Sequence, residues 1–147
     1  MASVRKLGPE HIEPLCTLEA ALFDAANFPL SRRNFAYHIK KGNILLGAFE
    51  EEVLAGYILL FTYPKSARIY SLGIDPKFQG RGIATRLIER AAEIVRGMKK
   101  ERLTLEVRTD NTPAIRLYAR NGFCTVEKLP AYYPDGTDGL KMSLWLQ

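Results

Sequence analysis

The chain has 147 residues, of which 47% are apolar, 25% charged and 10% aromatic. These are ordinary globular values, and they exclude disordered, collagen-like and low-complexity architectures. Lys and Arg number 21 against 16 Asp and Glu, a formal charge of +5, which favours an anionic partner without choosing among phosphate ligands, nucleic acid and acidic surfaces.

The length fits one domain spanning residues 1–147. Cys16 and Cys124 lie far apart in apolar stretches, with no CxxC or Cys/His cluster. No metal site is therefore expected, and two half-buried thiols suit a reducing, cytoplasmic setting. Met1–Pro9 lacks the apolar run of a signal peptide. The longest apolar run, Val53–Phe61, falls well short of the roughly 20 residues of a membrane helix.

Val4–Leu7 is read as a first strand. Ile12, Leu15, Leu18, Leu22 and Phe23 have helical spacing, and Pro14 is tolerated only if that helix begins near His11 or Ile12. After the break at Asn27–Leu30, Ser31 caps a second helix that Gly42 closes. Ile44–Glu50 and Val53–Tyr63 form a hairpin around Glu50-Glu51-Glu52, and Ala67–Ile74 is the next strand, ended by Asp75-Pro76. Ile83, Leu87, Ile88, Ala91, Ile94 and Val95 mark an amphipathic helix stopped by Gly97. Leu103, Leu105 and Val107 alternate with polar residues as a strand. Asn111-Thr112-Pro113 starts a helix capped by Gly122, and Phe123–Leu129 and Leu140–Leu146 are the last strands. The order gives a mixed α/β domain, largely antiparallel in its front half.

Gln79-Gly80-Arg81-Gly82-Ile83-Ala84-Thr85 precedes the best helix. It lacks the Lys-Ser/Thr ending of a Walker A loop, and it lies too far from the strand for a dinucleotide fingerprint. A third reading is an anion cradle, with small residues exposing backbone N–H groups at a positive helix terminus and Arg81 and Arg86 adding charge. A ligand-free, glycine-rich helix start is the plain alternative.

The run Leu72–Ala84, with Gln79, Gly82 and Ala84 in a Q-x-x-G-x-A pattern after Asp75-Pro76, resembles the acetyl-coenzyme A motif of the GNAT N-acetyltransferase superfamily. Leu105–Arg108, Asn111, Ala114, Leu117-Tyr118 and Asn121–Phe123 are similar to a second block of that family. Tyr132–Asp138 before Met142, and Phe28-Pro29-Leu30-Ser31, are most similar to its RimI-like branch of protein N-terminal acetyltransferases. Leu30 replaces a tryptophan of that branch, and Gly139-Leu140-Lys141 departs from its alanine and larger apolar residues.

The resemblance implies a single-domain GNAT fold: a mixed, mostly antiparallel seven-stranded sheet with about four helices on both faces. It implies acetyl-CoA as cosubstrate and a protein or peptide N-terminus, such as that of a ribosomal protein, as acceptor, in a monomer or homodimer. Leu72, Gly73 and Ile74, with Gln79, Gly80, Arg81, Gly82, Ile83, Ala84, Thr85 and Asn111, would bind the cofactor, Gly73 permitting close approach. Glu106 would be the general base and Tyr118 the general acid, while Phe28, Tyr132 and Tyr133 would line the acceptor site.

Each residue also has a plainer reading. Glu106 can be a strand carboxylate paired with Arg108 or a lysine, Tyr118 a packed aromatic, Asn111 a helix cap, and the two tyrosines local packing. The basic residues Arg32-Arg33, Lys40-Lys41 and Lys99-Lys100 are scattered without interleaved aromatics, which disfavours nucleic acid. A small-molecule amine, a lysine side chain, or coenzyme A binding without catalysis stay open as alternatives.

Overall fold

Among the described residues, seven strands and four α-helices occur in the order the residue patterns predict. The computed structural model describes residues 2–22 and 31–146. The elements are β1 (Ser3–Lys6), α1 (Ile12–Leu22), α2 (Arg32–Lys41), β2 (Ile44–Glu50), β3 (Val53–Thr62), β4 (Ser66–Ile74), α3 (Ile83–Gly97), β5 (Arg102–Arg108), α4 (Thr112–Arg120), β6 (Cys124–Leu129) and β7 (Gly139–Trp145). The strands follow the order β1-β2-β3-β4-β5-β7-β6. The β1–β2, β2–β3, β5–β7 and β6–β7 pairs are antiparallel, and β4–β5 is parallel. The chain comprises two compact units, residues 1–61 with 70–91 and residues 62–69 with 92–147.

In the first unit, α1 follows a single 3-10 turn at Pro9–His11, which puts Pro14 in the first helical turn, where its missing N–H has no intrahelical acceptor. Ser31 and Asn34 cap α2 reciprocally: the Ser31 Oγ accepts from the Asn34 N–H at 3.2 Å, and the Asn34 Oδ1 accepts from the Ser31 N–H at 3.1 Å. Gly42 ends the helix at φ +85°. Leu7, Leu15, Leu18, Phe35, Leu45, Phe49, Tyr57 and Leu59 form the core here. A polar chain crosses it, in which the Tyr57 hydroxyl donates to the buried Glu19 carboxylate and lies 2.6 Å from the Ser71 Oγ on β4.

In the second unit, Leu103, Leu105, Val107, Tyr118, Phe123, Met142 and Leu146 are buried. The register runs from Arg102↔Trp145 to Arg108↔Gly139 between β5 and β7, and the first three residues of β4 pair with Arg102, Leu103 and Thr104 of β5. β6 closes the strand order, and its residues Cys124–Lys128 are exposed.

α3 ends at Gly97 as expected, and beyond it Lys99 takes the left-handed conformation at φ +63°. The sequence expectations require one correction. Cys124 is exposed rather than half-buried, because β6 presents it at the sheet margin, whereas Cys16 is partly buried; both thiols are free.

Candidate functional site

The glycine loop lies in the first unit. The Asp75 N–H donates to the Ala55 C=O at 2.8 Å, and the Asp75 Oδ1 accepts from the Lys77 N–H at 2.9 Å, which turns the end of β4 into a 3-10 turn at Pro76–Phe78. Gly80 and Gly82 follow at φ +79° and +75°, a conformation that side chains disfavour. A Cβ on either would meet no atom of the described residues within 4 Å, so they leave open space above both. Ile83 then starts α3, whose first N–H groups have no intrahelical acceptor. Ile83, Leu87, Ile88 and Ala91 bury the opposite face of the helix. Arg81 stacks its guanidinium 5.1 Å from the Phe78 ring, and the Arg86 Nε is buried without a hydrogen-bond acceptor among the described residues.

A Cβ on Gly73 would fall 2.5 Å from the Leu22 Cδ1 and 3.1 Å from the Tyr57 Cε1, so core packing by itself favours a glycine there. Leu72 and Ile74, on either side, are half-buried.

Glu106 lies in the second unit, with its side chain 13% exposed. Its Oε1 forms an ion pair with the Arg68 Nη2 of β4 and accepts from the Tyr132 hydroxyl at 3.2 Å. Desolvation first, and then the Glu106 charge, push the Tyr132 phenol above its usual range. Tyr132 and Tyr133 meet edge to face at 5.1 Å. Arg108 ties their loop down: its Nη2 donates to the Asp135 Oδ2 at 2.6 Å and to the Thr137 Oγ1 at 2.9 Å, its Nε donates to the Asp110 Oδ1 at 3.1 Å, and its guanidinium lies 5.0 Å from the Tyr133 ring. These hydrogen bonds hold the Asp135 carboxyl well below the carboxylate range. Gly139 lies close beneath the loop, where a Cβ would sit 3.2 Å from Tyr133 and 3.3 Å from Tyr132.

Tyr118 closes α4 through a Schellman motif. The Phe123 N–H donates to the Tyr118 C=O at 3.0 Å and the Gly122 N–H to the Ala119 C=O at 3.1 Å, with Gly122 at φ +94°. The Phe123 ring packs edge-on to Tyr118 at 5.7 Å. Tyr118 is 9% exposed, and burial pushes its phenol up to about 12. Asn111 caps the start of α4, its Oδ1 accepting from the Ala114 N–H at 3.3 Å.

A model of the acetyltransferase (GNAT) family matches residues 12–123. The chain belongs to the GNAT family.

Its relatives include a Mycobacterium tuberculosis protein named N-alpha-acetyltransferase RimI, 37% identical over 105 residues, covering 68% of this chain and 65% of that protein. A Bacillus subtilis protein named as a [ribosomal protein bS18]-alanine N-acetyltransferase is 29% identical over 144 residues, covering 96% and 93%. The crystal structure of the ribosomal-protein-S18-alanine N-acetyltransferase from Escherichia coli shares the fold at a TM-score of 0.89 and 24% identity, covering 100% of this chain and 95% of that one. Against three of its curated relatives, the chain spans 38%, 51% and 65% of their length.

Within this GNAT protein, the second unit brings Glu106, Tyr132 and Tyr133 together, and the first unit carries Leu72–Ile74 and the Gln79–Thr85 loop. Phe28 lies outside the described residues. Among the described residues Glu106 is ion-paired with Arg68 rather than with Arg108, which is taken by Asp110 and Asp135. Sequence reading missed Arg68: only the parallel β4–β5 register sets it beside Thr104, one same-face step from Glu106.

Proposed function

We propose that this GNAT protein, its residues 1–147 acting as one domain, moves an acetyl group from acetyl-coenzyme A to the α-amine of a protein or peptide N-terminus. The observation that carries this reading is Glu106, a partly buried carboxylate on β5 beside the tyrosines of the β6–β7 loop. The names of the mycobacterial and bacillar relatives support the acceptor class, with a ribosomal protein as a fitting substrate. Two free thiols fit a reducing cytoplasm.

The residues fit the cosubstrate. Left-handed Gly80 and Gly82 leave open space at a helix start, as a pyrophosphate requires, with Gln79, Arg81, Ile83, Ala84 and Thr85 around them and Arg86 adding charge. Leu72, Gly73 and Ile74 supply strand backbone for the pantetheine arm and the thioester oxygen. Asn111 commits its carbonyl oxygen to capping, which leaves its amide N–H groups for the cofactor.

The acceptor amine attacks the thioester carbonyl carbon, the C–S bond breaks, and Glu106 takes the amine proton. Tyr118 supports the departing sulfur by hydrogen bonding. Burial raises that phenol to about 12, so it gives up a proton less readily than a free tyrosine, and as the general acid it would need help from the bound cosubstrate.

Intact-mass assays with a peptide bearing N-terminal alanine, an N-blocked lysine peptide and a polyamine test the acceptor class. Acetylation of the free α-amine is expected, and acetylation of the polyamine alone would overturn the reading. Glu106→Gln is expected to slow peptide turnover by ~100-fold and Tyr118→Phe by about tenfold, with coenzyme A affinity unchanged in both. Wild-type rates in both variants would remove the assigned roles.

A further inference from the structure

The contacts around Glu106 carry one step more, which rests on the base reading above. Parallel pairing puts Arg68 opposite Thr104, and Thr104 and Glu106 share a face of β5, so the Arg68 side chain leans one step along the strand to reach the carboxylate. On the other flank, Lys141 of β7 is the direct antiparallel partner of Glu106, and direct partners project to the same face. The carboxylate therefore pairs with a cation from β4, while the residue opposite it on β7 is also basic. Its contacts with Arg68 and with the Tyr132 hydroxyl both fall on Oε1. A carboxylate oxygen offers about two lone-pair directions, so these donors fill Oε1.

We propose that Arg68 is a positioning residue for acetyl transfer: with Tyr132 it fixes Oε1 of Glu106, so that Oε2 takes the acceptor's proton, and it offsets the carboxylate charge so that the acceptor's ammonium form is not trapped.

The second half of this role follows from electrostatics. A bare carboxylate holds an incoming ammonium as an ion pair, which stabilises the ground state and does not speed the reaction. A carboxylate already paired with Arg68, with Lys141 across the sheet, holds that ammonium less tightly. A larger share of the bound acceptor is then the neutral amine, which alone can attack the carbonyl carbon. The proton leaves nitrogen for Oε2 as the new C–N bond forms. Arg68 exchanges no proton and touches no reacting atom.

The test is steady-state kinetics of the full chain with acetyl-coenzyme A and a peptide bearing N-terminal alanine. If that peptide is not turned over, the accepted amine from the intact-mass panel takes its place, since the role belongs to the base and not to one acceptor. Arg68→Met is expected to lower kcat about tenfold while the acceptor KM stays level or falls and the acetyl-coenzyme A KM is unchanged. Arg68→Lys should recover most of kcat. Adding Arg68→Met to Glu106→Gln should cost nothing further, because Arg68 acts through Glu106.

An unchanged kcat in Arg68→Met, a raised acceptor KM, or full additivity with Glu106→Gln would overturn the proposal while leaving Glu106 as the base. A wild-type rate in Glu106→Gln would instead overturn the base reading itself. If Arg68→Met does not fold, Tyr132→Phe decides: a several-fold loss of kcat without a rise in acceptor KM supports the clamp, and an unchanged kcat overturns it.

Discussion

Tyr118 shows how one side chain can be fixed by packing and still be chemically informative. The Schellman motif needs Gly122 for its left-handed residue and brings in Phe123, whose ring packs against the Tyr118 phenol. The resulting desolvation has a consequence for pH. An unfolded tyrosine releases its proton near 10, whereas Tyr118 in the fold holds it to about 12. Between these values the folded chain binds a proton that the unfolded chain has lost, so its contribution is complete below pH 10 and is lost as pH rises towards 12. Denaturant midpoints measured across this alkaline range should fall less steeply for Tyr118→Phe than for the wild type. The residue also marks the limit of sequence reading. Its place in α4 follows from a local period, but the burial that weakens the acid depends on packing that the period does not reveal, such as the Phe123 ring.

At the scale of elements, what could be read in advance was local. The Ser31 cap, the Gly42 stop, the Glu51-Glu52 turn and the Asn111 cap depend on neighbours a few residues away, and all appear where the patterns place them. What could not be read was register. Arg68 and Glu106 are separated by a turn, a helix and a connection, and nothing in either strand alone says that they meet. The packing that favours Gly73 was hidden for the same reason, since its neighbours Leu22 and Tyr57 come from α1 and β3. The C-terminus of α3 falls between the two cases. Gly97 is a glycine where a helical residue with open space is needed, and Lys99 is a lysine where a left-handed residue is needed. The two are misplaced by two positions relative to their conformations. Gly97→Ala is expected to stabilise by ~0.5–1 kcal/mol and Lys99→Gly by about 1 kcal/mol. Each kcal/mol should appear as a rise of about 2–4 °C in Tm.

For the whole molecule, the positive balance divides into groups with different occupations. Arg5, Arg32, Arg68, Arg108 and Lys128 are bound to carboxylates, and Arg81 is stacked on an aromatic ring. Charge counting could not foresee this division, because each pairing joins separate elements or spans a turn. Among the described residues no helix is long and apolar enough to cross a membrane. The margin of the sheet bears on how a preparation of this protein ages. β6 presents Cys124 to solvent, whereas the Cys16 thiol is partly buried and pushed up by desolvation and by Glu19. Thiol oxidation selects for access and thiolate character. Air-exposed stocks should therefore accumulate disulfide-linked pairs through Cys124, visible by non-reducing electrophoresis, reversed by reductant, absent in Cys124→Ser and retained in Cys16→Ser. A solution measurement of subunit number without reductant would count this chemical artefact as assembly, so the shelf history of the sample enters the result.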